Sequence, residues 1–540
     1  MEINIPWILN NFRPYEYFNM KIGARSLVPY CACFAQACMT KESLPTATVD
    51  RGVVIGTTTT IAEATVKVNQ YLGIPFASAP IGTGRFSPPK PTSWVGSLQT
   101  KEFKPSCIQV FNPYDSRDFI QDVFSVPRPE ESEDCLYLNV FAPRDANSKN
   151  KTEGKQPLLP VLFWIYGGGY KFGNAGQPIY SGAPMAALED VIVVSINYRT
   201  NLFGFPISPS ITNITERNLG LLDQRAALDW VQRNIEAFGG DPSSVTIFGQ
   251  SAGAFAVDVH LTSIWPNEEA PFRAAIMQSG TYSYNPVAPC NNTDYKDDLR
   301  YAQEQYNINF GMGGDNYTIV CDPRVRREAG RFVQVPVIGG STVDDGSYYA
   351  AKNGTDIDKY FSTVFANETA LKESVLAAYD LNPAEGRVDN QTILAQIHTD
   401  WNFHCPAMFL SNSSTQYVPT YRYIFNATFP NQRLAHLPDN RWPVSAQKAY
   451  HSSEIPIVLS TYNRTNATMA QVALSNTMRK AWARFAKDPW EAPIPGWKVA
   501  GRNGSFVMDF GTNGGSSIGV RRDETGKCWV WKDFIWKKHQ

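Results

Sequence analysis

Between Phe238 and Gly253 the sequence reads FGGDPSSVTIFGQSAG, and no other run restricts the fold as much. Ser243 to Phe248 has the β-branched, apolar character of a strand buried on both faces. Gly249-Gln250-Ser251-Ala252-Gly253 then packs small residues on both sides of one serine, as a sharp strand-to-helix turn demands, because neighbouring backbone passes too close for side chains. Ala252 to Val257 continues as small and apolar residues suited to a helix lying against that strand. A chain with 38 glycines meets a Gly-x-Ser-x-Gly pattern by chance from time to time, so the weight lies in this strand-turn-helix context. In it, the turn pushes the Ser251 hydroxyl into open space.

The rest of the chain alternates strands and helices in the way that setting requires. Leu158 to Tyr166 and Val191 to Asn197 read as continuous apolar strands, and Leu219, Leu222, Ala226, Ala227, Trp230 and Asn234 to Phe238 fall largely on helical spacing, which predicts a crossover helix returning to a parallel strand. Ala274 to Gln278, Val333 to Gly339 and Tyr421 to Phe425 supply later strands, and Met478 to Ala486 an amphipathic helix with Trp482 and Phe485 on its buried side. The expected fold class is α/β, a mostly parallel central sheet with helices on both faces, whose chemistry collects at the carboxyl ends of the strands.

The run around Ser251 resembles the serine signature of the type-B carboxylesterase/lipase family, the α/β-hydrolases that include fungal lipases and cholinesterases. A second family signature stands upstream as Glu133-Asp134-Cys135-Leu136-Tyr137-Leu138-Asn139-Val140-Phe141-Ala142-Pro143. Gly73-Ile74-Pro75-Phe76-Ala77 with Arg85-Phe86, Asn197-Tyr198-Arg199, and Asp223-Gln224-Arg225-Ala226-Ala227-Leu228 look like the same family. The resemblance runs from about residue 48 to the end. It implies an α/β-hydrolase fold and hydrolysis of carboxylic esters without metal or organic cofactor.

Ester hydrolysis by a serine needs a base, an acid that orients the base, and donors for the oxyanion. Tyr166-Gly167-Gly168-Gly169-Tyr170 follows a strand, and its successive glycines let backbone N–H groups turn toward an oxygen. The resemblance assigns Gly168 and Gly169 as donors, with the Ala252 amide as a third. Ala449-Tyr450-His451-Ser452-Ser453-Glu454-Ile455-Pro456 looks like the family's histidine segment and implies His451 as the base, whereas His260 reads as a packed or surface residue. The acid is expected between Ser251 and His451. Gly339-Gly340-Ser341-Thr342-Val343-Asp344-Asp345-Gly346-Ser347 resembles the segment where the family usually carries Glu before Gly, which points to Asp345 with Asp344 as runner-up. Arg85 and Glu133 resemble a structural ion pair of the family.

Composition excludes other classes. A net charge of −1 with interspersed signs and no basic run gives nothing to track a nucleic acid backbone. No stretch of eighteen or more apolar residues is present, so no membrane-spanning helix is expected. The expected partner is a small-molecule or lipid ester substrate, and the oligomeric state is left open.

The amino-terminal 45 residues read as a leader. From Met20, Lys21 and Arg25 form a basic region, Ser26 to Phe34 a modest apolar stretch, and Ala35-Gln36-Ala37 a cleavage site, so an internal start with a secretory signal is expected, followed by one α/β-hydrolase domain over residues 46–540. Beyond Cys31, Cys33 and Cys38 in the leader, six cysteines remain, an even number suited to an oxidising compartment. By resemblance Cys107 pairs with Cys135 and Cys405 with Cys528, which leaves Cys290 with Cys321. Glycosylation acceptors at Asn150, Asn213, Asn291, Asn316, Asn353, Asn367, Asn390, Asn412, Asn426, Asn463, Asn466 and Asn503 agree with a secreted protein.

Substrate choice is less visible. The loop from Cys107 to Cys135 corresponds to the lipase lid and to the cholinesterase loop that bears a choline-binding tryptophan, yet it contains no tryptophan, which argues against a cholinesterase. Phe111, Tyr114, Phe119, Ile120, Val123, Phe124 and Val126 suit the inner face of a lid or of an ordinary covered loop. Between Ser251 and Asp345 the chain is several dozen residues shorter than the family pattern, and Tyr284 to Gly314 does not read like the helices that wall the acyl pocket. A non-catalytic binding or adhesion member of the same fold is therefore the alternative to a carboxylesterase or lipase. Amide or thioester hydrolysis would use the same groups.

Overall fold

The computed structural model describes residues 43–111, 120–121, 124–144, 157–206, 213, 216–265, 269–285, 312–353, 356–365, 368–379, 389–434, 447–501, 506–512, 517–522 and 527–537. The unit from Leu44 onward is built on an eleven-stranded sheet. Its strands run, in spatial order, Ser517–Arg522, Phe506–Thr512, Thr420–Phe425, Val337–Thr342, Ala274–Gln278, Gly240–Gln250, Leu159–Ile165, Ile192–Ile196, Tyr137–Pro143, Val68–Pro75 and Thr57–Thr59. From Phe506–Thr512 to Ile192–Ile196 every neighbouring pair is parallel. The pairs beyond them at both edges are antiparallel. A separate three-stranded sheet joins Thr46–Val49, Gly52–Ile55 and Ser97–Gln99.

The central strands are apolar because both faces are covered. Phe163 pairs with Ile247 in register, and Ile276 lies opposite both Phe248 and Ile338. The expected crossover helix is Leu219–Asn234 with a tighter turn over Ile235–Phe238, and the later amphipathic helix is longer than its apolar stripe, Met469–Lys487. One strand is displaced from the sequence reading: Val333 to Gly339 becomes Val337–Thr342. Pro336 has no N–H to donate and enters the sheet only through its carbonyl, which accepts from the Ala275 amide at 3.1 Å.

Two buried contacts fix the helix Ala252–Thr262 that follows the serine. A β-carbon at Gly253 would meet the Ile165 carbonyl oxygen at 2.0 Å, so the helix approaches the sheet through bare backbone. Farther along, Asp258 is fully buried, pairs with the Arg327 guanidinium, and accepts from the Ser283 amide at 2.6 Å. Removing either charge would strand the other in the core.

Cys107 is bonded to Cys135 and Cys405 to Cys528. The second bridge spans 123 residues and ties the helix Cys528–Lys537 to the helix Cys405–Ser414. Loop closure on that scale is worth about 4–5 kcal/mol in the chain-entropy account. Cys321 is also disulfide-bonded, while Cys290 and residues 286–311 as a whole lie outside the described residues. No helix among the described residues is long and apolar enough to cross a membrane.

Candidate active site

Ser251 sits where the strand Gly240–Gln250 meets the helix Ala252–Thr262, at φ 55° and ψ −124°. A non-glycine residue holds that conformation only when its surroundings enforce it. The enforcement is visible in the main chain: the Ser251 amide donates to the Gln278 carbonyl at 2.9 Å, and the Ser251 carbonyl accepts from the Phe255 amide at 2.9 Å.

Asp345 and His451 arrive on two loops joined by backbone. Asp344 forms an isolated parallel bridge with Tyr450, its amide donating to the Ala449 carbonyl at 3.1 Å. The next residue on each side is then Asp345 or His451. His451 Nδ1 lies 2.7 Å from Asp345 Oδ1, and Asp345 Oδ2 accepts from the Ser279 hydroxyl at 3.0 Å and the Thr342 amide at 2.8 Å. Asp344, the runner-up, lends its backbone to the bridge, and its own carboxyl is hydrogen-bonded to Ser347 and the Lys448 backbone. The His451 ring is flanked by Phe403 at 4.8 Å and Tyr349 at 5.9 Å.

Ser251 and His451 line one cavity of about 310 Å³ together with Gly167, Gly168 and Gly169. Gly168 has φ 110°, and a β-carbon there would meet the Phe172 carbonyl oxygen at 2.2 Å, so this turn admits only glycine. Among the described residues the amides of Gly168, Gly169 and Ala252 donate to no protein acceptor. The glycine loop is braced from behind by Tyr166 and Tyr198, whose rings stack at 4.4 Å while each hydroxyl donates to the other residue's carbonyl, at 3.0 and 2.9 Å.

Of the Cys107–Cys135 loop, Val110, Ile120 and Phe124 reach the cavity wall, and Phe111 stacks on Phe172 at 5.1 Å. Tyr114, Phe119 and Val123 lie outside the described residues. Arg85 grips Glu133 through two hydrogen bonds of 2.5 and 2.8 Å. The neighbouring Arg199 does the same with Asp223, at 2.8 Å each, while also donating to the carbonyls of Arg85 and Ser87. His260 is buried and 2.8 Å from the Gln224 amide oxygen, a packed residue.

Besides Ser279, three residues around the site escape the sequence reading. Gln250, inside the serine motif itself, places its side-chain amide nitrogen 3.1 Å from His451 Nε2, and Ser251 Oγ makes no hydrogen bond to that ring among the described residues. His398 stacks on Tyr349 at 4.3 Å and pairs through Nδ1 with the Tyr360 hydroxyl; burial, and then the charge of His451, pull its imidazole down to about 3, so it stays neutral. Glu454 is fully buried, accepts from the Gln278 amide at 3.2 Å, and leaves Oε2 without a partner.

Burial, and next the charge of Asp345, push the Glu454 carboxyl up to about 8. Between its ordinary value and about 8 the unfolded chain is ionised at this position while the folded chain keeps the proton. Stability therefore falls as pH rises through that window and levels off above it. Glu454→Gln imitates the protonated acid and should remove the cost, with a gain of about 3–5 kcal/mol near pH 8 and less than about 1 kcal/mol near pH 5. Urea unfolding at the two pH values measures the difference, and an equal change at both would exclude a titrating Glu454.

A parallel sheet flanked by helices, with a serine on the elbow after a central strand and an Asp–His pair on later loops, is the architecture of the α/β hydrolases. The carboxylesterase family model matches residues 43–300 and 293–523. The para-nitrobenzyl esterase of Bacillus subtilis (strain 168) is 32% identical over 459 residues, covering 78% of this chain and 86% of that protein. The acetylcholinesterase of Electrophorus electricus is 30% identical over 501 residues, covering 77% and 76%. The cocaine esterase of Homo sapiens is 30% identical over 513 residues, covering 86% and 87%. The chain belongs to the carboxylesterase family.

Proposed function

We propose that this chain is a secreted serine esterase in which Ser251 is the nucleophile, His451 the general base and Asp345 its orienting acid. The observation that carries the reading is the 2.7 Å contact from buried Asp345 to His451, whose ring lines a cavity together with Ser251 and the glycine loop. His451 Nε2 takes the Ser251 proton, Oγ attacks the ester carbonyl, and the amides of Gly168, Gly169 and Ala252 hold the oxyanion. Removing one such donor typically costs about 2.7–4 kcal/mol. The imidazolium returns its proton to the departing alcohol, and water then frees the acid from the acyl-enzyme by the same steps in reverse. None of these steps calls on a metal or an organic cofactor.

The cavity supports one substrate class over the other. A volume of about 310 Å³ is near the floor of the usual range for ligand sites, and Phe124, Phe172, Tyr348 and Tyr349 give it aromatic walls. Esters of small acids with compact or aromatic alcohols fit it better than long-chain lipids, so a carboxylesterase is preferred to a lipase. Two disulfides and the glycosylation acceptors support an extracellular site of action for a single catalytic domain, residues 46–540, behind a cleaved leader.

The test is covalent. Diethyl p-nitrophenyl phosphate should place one diethylphosphoryl group on the peptide carrying Ser251, read by mass spectrometry, with concurrent loss of p-nitrophenyl acetate and butyrate hydrolysis. A folded protein that takes up no label and cleaves neither ester would be a non-catalytic member of the fold.

A further inference from the structure

We infer that Gln250 caps the base of the resting enzyme: its side-chain amide donates to His451 Nε2 and must leave before Nε2 can take the Ser251 proton. The inference rests on the reading of Ser251 and His451 as nucleophile and base.

A neutral imidazole has one N–H and one in-plane lone pair. Asp345 Oδ1, 2.7 Å from Nδ1, holds the N–H on that side, which leaves Nε2 as the acceptor. The atom facing that lone pair is the Gln250 amide nitrogen at 3.1 Å, within normal hydrogen-bond range. The opposite amide rotamer would set an oxygen against the lone pair and repel it. Gln250 is the last residue of its strand, 2% exposed, and its side chain lines the same cavity as Ser251. Space for the amide comes from Gly167, where an added β-carbon would stand 3.0 Å from Gln250 Oε1.

Acylation then contains a displacement. The amide has to swing off Nε2 before Oγ–H can bond there, so the resting base does not begin to draw on Ser251 until something occupies the cavity and moves Gln250. Gln250 is a positioning residue, because it touches the base and not the reacting carbon. Losing one neutral hydrogen bond of about 0.5–1.5 kcal/mol corresponds to about a two- to twelvefold change in rate.

The test uses the full-length protein, ¹⁵N-labelled at histidine, with the His451 resonances assigned by their loss in His451→Gln. A pyridine-type nitrogen moves downfield when it loses a hydrogen-bond donor. The Nε2 resonance is expected to stay in place in Ser251→Ala and to move downfield in the Ser251→Ala/Gln250→Met double variant. An Nε2 resonance that moves in Ser251→Ala, or that stays in the double variant, overturns the cap. In Gln250→Met alone the second-order rate constant for phosphorylation by diethyl p-nitrophenyl phosphate should rise about two- to twelvefold. A rate at or below the parent's in folded protein overturns it as well. Gln250→Asn, which keeps an amide one methylene too short to reach, carries the same readouts if methionine is not tolerated. Should the parent fail to be phosphorylated at all, the assignment of Ser251 falls, while the resonances still decide whether Gln250 sits on the ring.

Discussion

Ser251→Ala is expected to lower kcat for p-nitrophenyl butyrate by about 10⁶-fold, the scale seen when a triad serine is removed elsewhere. The loss should fall on kcat with little change in KM, because the cavity walls and the oxyanion amides stay where they are. Alanine replaces serine at the same strained backbone position, φ 55°, and Gly253 still seats the helix on Ile165, so the fold should survive the change. Steady-state kinetics on protein free of host esterases, with circular dichroism as the control, makes the measurement. Activity within tenfold of the parent would move the nucleophile elsewhere.

Asp345→Asn should lower kcat by about 10⁴-fold through a tautomer error. Oδ2 of Asp345 accepts from the Thr342 amide and the Ser279 hydroxyl, so an asparagine is steered to present its oxygen there and its NH₂ to His451 Nδ1. A donor at that point forces the lone pair onto Nδ1 and the proton onto Nε2. The ring then has nothing with which to accept the Ser251 proton. The Nδ1 and Nε2 resonances of labelled His451 should exchange character in the variant, and kcat measured beside them links cause to effect. A tenfold loss or less, with the tautomer unchanged, would make Asp345 a structural acid only.

Much of the site was legible because its signals are local. Five residues carry the elbow, three glycines the loop after Ile165, and a short segment frames His451. Asp345 could be preferred over Asp344 only by resemblance; in the fold it is the Asp345 carboxyl that meets His451, a contact between loops 106 residues apart. Gln250, Ser279 and Glu454 were beyond reach for the same reason, since each acquires its partner from a different element. The central strands announce themselves as apolar runs, whereas Val68–Pro75 carries polar Asn69 and Gln70 among its apolar residues and presents no such run. The edge strand Ser517–Arg522, with a glycine and two arginines, offers no apolar run either.

The backbone pair between Asp344 and Tyr450 acts as a strap. It fastens the acid loop to the base loop by main-chain hydrogen bonds, which do not depend on side-chain identity. A substitution at Asp344 or Tyr450 therefore leaves the strap in place, and Asp345 and His451 are held together by the path of the chain and not by the side chains beside them.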